Sequence, residues 1–453
     1  MATLHSDLST LPAVGATLLL VVALVADVRH DLRRLVSGRS VVLLGILSWF
    51  LYEALKETRG LTGYLQSEYN FGILCVVLAI GAFLLGYHHT KGCQLFEPIA
   101  RRVIVLDDSR VLWRLVLVCG IVGFAPIAFY SGMQIFELLH GILGMRQTWG
   151  GLLARGRYGG FREAMLQLEN LVLAAGPFAV ILLIDRRSTV IQRLFCAIVA
   201  IWPILRGYGS GTRAAFLGAV LPVFAILYFR CNPKTQRRIL VLGMCVTPLI
   251  YGLMAAIVAS RNSGHLSWQA GEKVDYVGNE MFQELLYITT RVPDHLPYQM
   301  GESYLVALCA PIPRFLWPGK PSLDTGILMA KIRGEVDKRS GEATYTRSPG
   351  LFGEMYLNFG LAGLIALNFV GGWIVRGWDQ ISARYSSSLA TMIFYVVGLA
   401  ALFFLGRSFN AQTFYPLIFF VLAVHFLSYI ASRSVARPAV RREWRMSTQL
   451  REA

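Results

Sequence analysis

Phe71-Gly-Ile-Leu-Cys-Val-Val-Leu-Ala-Ile-Gly-Ala-Phe-Leu-Leu-Gly-Tyr-His-His89 contains no Asp, Glu, Lys or Arg. About 20 such residues in a helix cross the ~30 Å hydrocarbon core of a bilayer, so this stretch alone predicts a transmembrane helix. Apolar stretches recur on both sides of it, near 11–26, 40–55, 111–130, 167–184, 189–205, 212–229, 238–260, 350–375, 388–406 and 410–432. Together they predict an all-α, polytopic membrane protein of about 11 transmembrane helices, a single membrane domain over 1–453 without an internal repeat.

Composition agrees. The 453 residues are 55% hydrophobic and 15% charged, and the mean hydropathy is +0.53, which excludes soluble and disordered classes. The net charge of +16 is not gathered into basic runs interleaved with exposed aromatics, so no nucleic-acid partner is expected. Of seven cysteines, Cys75, Cys119, Cys196, Cys245 and Cys309 lie in apolar surroundings, and Cys93 and Cys231 in polar turns. None has metal-ligand spacing, and no disulfide framework is expected.

Lys and Arg in alternate short loops set the orientation. The loops 27–39, 90–114, 185–193, 230–238 and 376–386 and the basic tail 433–453 hold 24 of the 43 basic residues. The positive-inside rule assigns that face to the cytoplasm, with the N-terminus external and the C-terminus cytoplasmic. The first apolar segment lacks a basic n-region and reads as a retained helix. Two elaborations fall outside: an element over 131–166, and a large loop between helices 8 and 9, 261–347, that reads as a cap. Within the cap, Ser303–Leu316 is apolar and too short to cross, which suggests a re-entrant or interfacial helix.

Arg206, Arg213, Arg261, Arg347 and Arg407 lie at helix ends on the external face, where topology disfavours them; Arg314 and Lys320 lie in the cap. One guanidinium at such a place snorkels to lipid phosphate, whereas several converging on one mouth suit a strongly anionic ligand, because guanidinium forks match phosphate oxygens bidentately. The run Arg206-Gly-Tyr-Gly-Ser-Gly-Thr-Arg213 superficially matches nucleotide loops, yet it follows no strand and has no acidic partner downstream. Gly319-Lys320-Pro321-Ser322 likewise lacks the rest of a P-loop.

Pro311-Ile-Pro-Arg314-Phe-Leu-Trp317-Pro-Gly-Lys320-Pro321, Ser348-Pro-Gly350-Leu-Phe-Gly353-Glu354-Met-Tyr-Leu-Asn358-Phe-Gly360, and Gly211-Thr-Arg213 opening an earlier helix resemble the bacterial oligosaccharide repeat-unit polymerases, the O-antigen polymerases of the Wzy type. The match covers roughly 205–365. The resemblance implies a GT-C-like glycosyltransferase of the inner membrane, joining undecaprenyl-pyrophosphate-linked oligosaccharides at the external face into O-antigen, capsule or exopolysaccharide. It implies no nucleotide sugar, no metal and no other cofactor. Membrane lipids are the surroundings, and a chain-length-regulating co-polymerase is left open as a partner.

The matched positions are Arg213, Arg314, Lys320 and Glu354. The resemblance gives Arg213, Arg314 and Lys320 the donor diphosphate and Glu354 the role of base on the acceptor hydroxyl; Arg206, Arg261, Arg347 and Arg407, read from their helix-end positions, are further binding residues. A helix-terminal charge or an ion pair with Arg347 or Arg407 is the structural alternative for Glu354; Asp275, Asp294, Asp324 and Glu342 are rival bases. Trp317, Tyr298 and Tyr304 are candidates for stacking on sugar. O-antigen ligases share the topology but are expected to use an external histidine, for which only His265 and His295 are available in the cap. A lipid-linked oligosaccharide flippase or anion transporter predicts repeats and polar midplane residues, and Glu53 is a rare acid inside a span.

Overall fold

The computed structural model describes residues 9–132 and 347–434 nearly throughout, 165–210, 280–309 and 325–336, and scattered positions in 134–136, 224–252 and 312–319. Among these residues the regular elements are helices: α1 (Leu11–Val28), α2 (Gly38–Leu55, through a π turn at Leu47–Leu51), α3 (Gln66–His89), α4 (Glu97–Val103), α5 (Ser109–Tyr130), α6 (Glu169–Ile184), α7 (Val190–Ser210), α8 (Met281–Thr289), α9 (Glu302–Cys309), α10 (Thr325–Ile332), α11 (Gly350–Arg384), α12 (Leu389–Leu405) and α13 (Ala411–Ser434). Five of them, α2, α3, α5, α7 and α11, are long and apolar enough to cross a membrane. Outward faces of the helices carry Leu, Val and Ile, such as Leu18, Leu19 and Val22 of the shorter α1 and Val190, Ile191 and Leu194 of α7, all exposed. Apolar surface of that extent fits lipid. The chain is a membrane-embedded helical protein. The apolar segments at 212–229 and 238–260 lie largely outside the described residues, as do most of 131–166 and the tail beyond Ser434.

Two buried clusters make the core. One joins α1, α2, α3, α8 and the first half of α11 through residues such as Leu43, Phe50, Tyr69, Phe282 and Phe352. The other joins α4 to α7, α12 and α13 through Leu115, Phe178, Trp202, Phe394 and Phe420, and reaches Trp378 of α11. Thus α11 belongs to both. Its packing on α3 is backbone to backbone: a Cβ on Gly372 would stand 2.1 Å from the Phe83 carbonyl, and one on Gly86 2.0 Å from that of Phe369. Small residues facing each other allow helices to approach this closely where apolar lipid supplies no driving force of its own.

Two details correct the sequence reading. α11 continues to Arg384, so Arg376 and Arg384, expected in a turn, lie on its last turns. Cys93, expected in a polar turn, is buried, its backbone wrapped against Gly377. Cys245, expected among apolar neighbours, is exposed near the exposed Val241 and Leu242.

Polar contacts sort the helix ends onto two faces. On one, the Ser109 hydroxyl donates to Asp185 at 2.6 Å, the Ala390 N–H to Asp107 at 2.9 Å, the Gly38 N–H to Asp379 at 2.6 Å, and Arg384 pairs with Glu97. On the other, the Ser9 N–H donates to Gln66 at 2.7 Å, and the Leu351 N–H to the Gly406 carbonyl at 3.1 Å. There Glu53, the acid inside α2, accepts from the N–H groups of Phe282 (2.8 Å) and Gln283 (3.3 Å). These are the second and third residues of α8, whose opening N–H groups have no partner within the helix, so Glu53 is its cap and sits at its positive end.

Candidate functional site

The site is built where α11 begins. Gly360 has φ 64° and ψ −156°, a combination essentially restricted to glycine. The break frees the carbonyls of Leu357 and Asn358, which accept from the Gln299 N–H at 3.0 Å and the Met300 N–H at 3.1 Å. The Asn358 side chain completes the seam: its oxygen accepts from the Gly301 N–H (2.9 Å) and its amide donates to Ser303 Oγ (2.8 Å). The segment before α9 therefore closes on the broken helix. The first part of α11 is held against the turn after α12 by the Ser348 hydroxyl, which donates to the Arg407 carbonyl at 2.6 Å.

Glu354 stands at the centre of this junction and is fully buried. Its Oε1 accepts from the Thr325 hydroxyl of α10 at 2.9 Å, and its Oε2 from the Phe409 N–H at 2.8 Å. One carboxylate thus ties α11, α10 and the α12–α13 turn. Beside it the Tyr304 hydroxyl is buried without a hydrogen-bond partner. Burial, then the Glu354 charge, push that phenol's pKa up. The Tyr304 ring lies edge-on to Phe409, centroids 5.4 Å apart, and stacks on Phe359 at 6.3 Å.

Arg347 enters a second cluster next door. Its Nε donates to both oxygens of Glu335 at 2.8 and 2.7 Å, and its Nη1 to Glu280 at 3.2 Å and Glu284 at 3.1 Å. Glu284, 2% exposed, also binds Arg333 at 3.0 Å. Burial raises the Glu284 carboxyl above its usual range, and Arg333 and Arg347 oppose that shift. Arg291 and Arg333 both lie 3.9 Å from the Tyr287 ring centre, a stacking geometry favourable to guanidinium.

The other expected site residues are dispersed. Arg206 pairs with Glu169 at 2.9 Å, and Glu169 also accepts from the Trp202 indole, so this arginine locks α6 to α7. Arg407 is exposed at the turn after α12. Trp317 is 39% exposed. Arg213, Arg261, Arg314 and Lys320 lie outside the described residues. Sequence reasoning missed Thr325, the three carboxylates around Arg347, and Arg333. Glu280 and Glu284 carried a signal, since i and i+4 share one helix face; Thr325 and Glu335 carried none. Among the described residues no group of three or more His, Cys, Asp or Glu is arranged to hold a metal ion.

Comparison with family models, with curated proteins and with solved structures finds no match to this chain.

Proposed function

We propose that the chain is a membrane glycosyltransferase that polymerises undecaprenyl-pyrophosphate-linked oligosaccharide repeat units at the external face of the bacterial inner membrane. What supports this reading, beside the matched motifs, is the junction at Glu354: the segment Ser348–Gly360 meets α9, α10 and the Arg407 turn there. In the proposed reaction the acceptor hydroxyl attacks the anomeric carbon of the growing chain. The bond from that carbon to the pyrophosphate oxygen breaks, undecaprenyl pyrophosphate leaves, and the hydroxyl proton passes to a carboxylate. Glu354 is the proposed base. Tyr304, whose hydroxyl lacks a partner, is suited to bind a sugar oxygen beside it.

The diphosphate clamp is proposed for Arg213, Arg314, Lys320 and Arg407, with Arg261. Arg206 and Arg347 are occupied by carboxylates, so their contribution is to hold the walls. The deciding experiment is the glycan profile of a deletion strain. Loss of polymer with single repeat units still delivered to the final acceptor supports the polymerase. Lipid-linked polymer accumulating without transfer would overturn it in favour of a ligase, and repeat units retained on the cytoplasmic side in favour of a flippase.

A further inference from the structure

The face opposite the Glu354 junction holds a cavity of about 820 Å³, between the start of α2, the end of α3 and the last turns of α11. Such a volume is within the range of small-molecule sites, roughly 300–1,000 Å³. Arg34, Arg39, Arg376 and His88 line it together with Tyr87 and Asp379. The Asp379 carboxylate is held by the fold itself. Its Oδ1 accepts from the Gly38 N–H at 2.6 Å and the Tyr395 hydroxyl at 2.7 Å, and its Oδ2 from the Tyr87 hydroxyl at 2.9 Å and the Arg39 N–H at 3.2 Å. These four donors, two phenols and two backbone amides, fix the carboxylate as part of the frame.

Arg376 lies 5.2 Å and Arg39 5.9 Å from the centre of the Tyr87 ring. Among the described residues Arg34 and Arg376 form no ion pair, and Arg376 Nε is buried with no hydrogen-bond partner. A buried donor without an acceptor is costly, so it marks a place where an acceptor belongs. Among the described residues Arg34 and Arg376 bring the cavity more positive charge than Asp379 balances, and guanidinium forks favour phosphate oxygens.

We propose that this cavity is a second anion site, distinct from the proposed transfer site, that takes a phosphate-bearing group. Basic pockets between transmembrane helices at the cytoplasmic surface suit anionic headgroups, and the loop charges assign this face to the cytoplasm. The shared chemistry is the phosphate, whether it is borne by a lipid of that leaflet or by a soluble diphosphate.

The full-length protein in phosphatidylcholine nanodiscs tests this with two probes. Phosphatidylglycerol of matched acyl chains is added to one set, and retained lipid is counted by native mass spectrometry. Inorganic pyrophosphate is added to the other, and the thermal midpoint is read. Retention of phosphatidylglycerol over phosphatidylcholine, reduced about tenfold in R34Q/R376Q by the lost charge-assisted bonds, supports a lipid ligand. A rise in midpoint with pyrophosphate that the double variant lacks supports a soluble one. The wild-type comparisons stand alone if the variant fails to fold. Wild-type protein indifferent to both probes, or a folded double variant that responds as wild type does, overturns the proposal.

Discussion

The carboxylate of Glu354 and the backbone N–H of Phe409 meet at 2.8 Å across 55 residues of chain, with Thr325 on the other oxygen. Glu354 therefore has a structural duty that can be separated from a chemical one. In Glu354→Ala both donors lose their acceptor inside the protein, at roughly 1–3 kcal/mol each, and folded yield should fall. Glu354→Gln keeps an acceptor for Phe409 and offers an amide to the Thr325 oxygen, so it should fold. If Glu354 is the base, this folded variant should turn over a lipid-pyrophosphate repeat unit ~10²–10⁴-fold more slowly. Near wild-type turnover would move the base role to another carboxylate, and inhibition by a chelator would contradict the metal-free mechanism.

Arg347 and Arg407 should separate stability from activity. Arg347→Ala leaves Glu280, Glu284 and Glu335 without their shared guanidinium, and breaking a buried pair costs about 3–5 kcal/mol. The expected result is loss of folded protein in a thermal scan in detergent. Arg407→Ala, at an exposed position, should retain wild-type stability and lose polymer. Equal stability of the two variants would remove the distinction.

The broken helix gives a backbone prediction. A Cβ at Gly360 would approach the Tyr298 hydroxyl to 2.9 Å, at backbone angles other residues avoid. Gly360→Ala should destabilise by about 1–3 kcal/mol, seen as a lower thermal midpoint, whereas Gly371→Ala, with open space around its Cβ, should leave the midpoint unchanged.

Glu284 predicts a pH dependence. Its pKa is raised in the fold, so the native state holds the proton more tightly than the unfolded chain does. Stability attributable to this group is greatest below the ordinary glutamate value of ~4.3 and falls as pH rises from there through the raised pKa. The thermal midpoint of wild type should therefore drop relative to Glu284→Gln across that window. A difference that stays constant, or grows in favour of wild type, would show that Arg333 and Arg347 outweigh burial.

Topology is tested by membrane-impermeant thiol labelling of whole cells in a cysteine-free background. His295→Cys, in the turn between α8 and α9, should label, and Arg187→Cys, between α6 and α7, should not. The reverse pattern would exchange the two faces and remove the external site.

The helix over Phe71–His89 was legible because a helix long and apolar enough to cross a membrane announces itself through continuous apolar sequence. The position of Glu354 near the start of its helix was legible too, from the glycine and proline around it. Its partners were not, because Thr325 and Phe409 are contributed by separate segments and one of them through its backbone, which has no sequence signature. Arg347 illustrates the same limit. An arginine at a helix end reads alike whether phosphate or carboxylate faces it, and here three carboxylates separated from it by 12, 63 and 67 residues decide the matter. Repulsion among those acids is visible in sequence only once the fold has gathered them.

The cap that Glu53 places on α8 has a consequence for biogenesis. Its two amide partners are synthesised 229 and 230 residues later, which at ~5–20 residues per second is a delay of about ten seconds or more. Until α8 is made, the carboxylate of α2 has neither of these two N–H groups to accept from. Arrival of α8 supplies both N–H groups at once. The contact between α2 and α8 is therefore closed late, and a chain ending before Met281 lacks both donors of this cap.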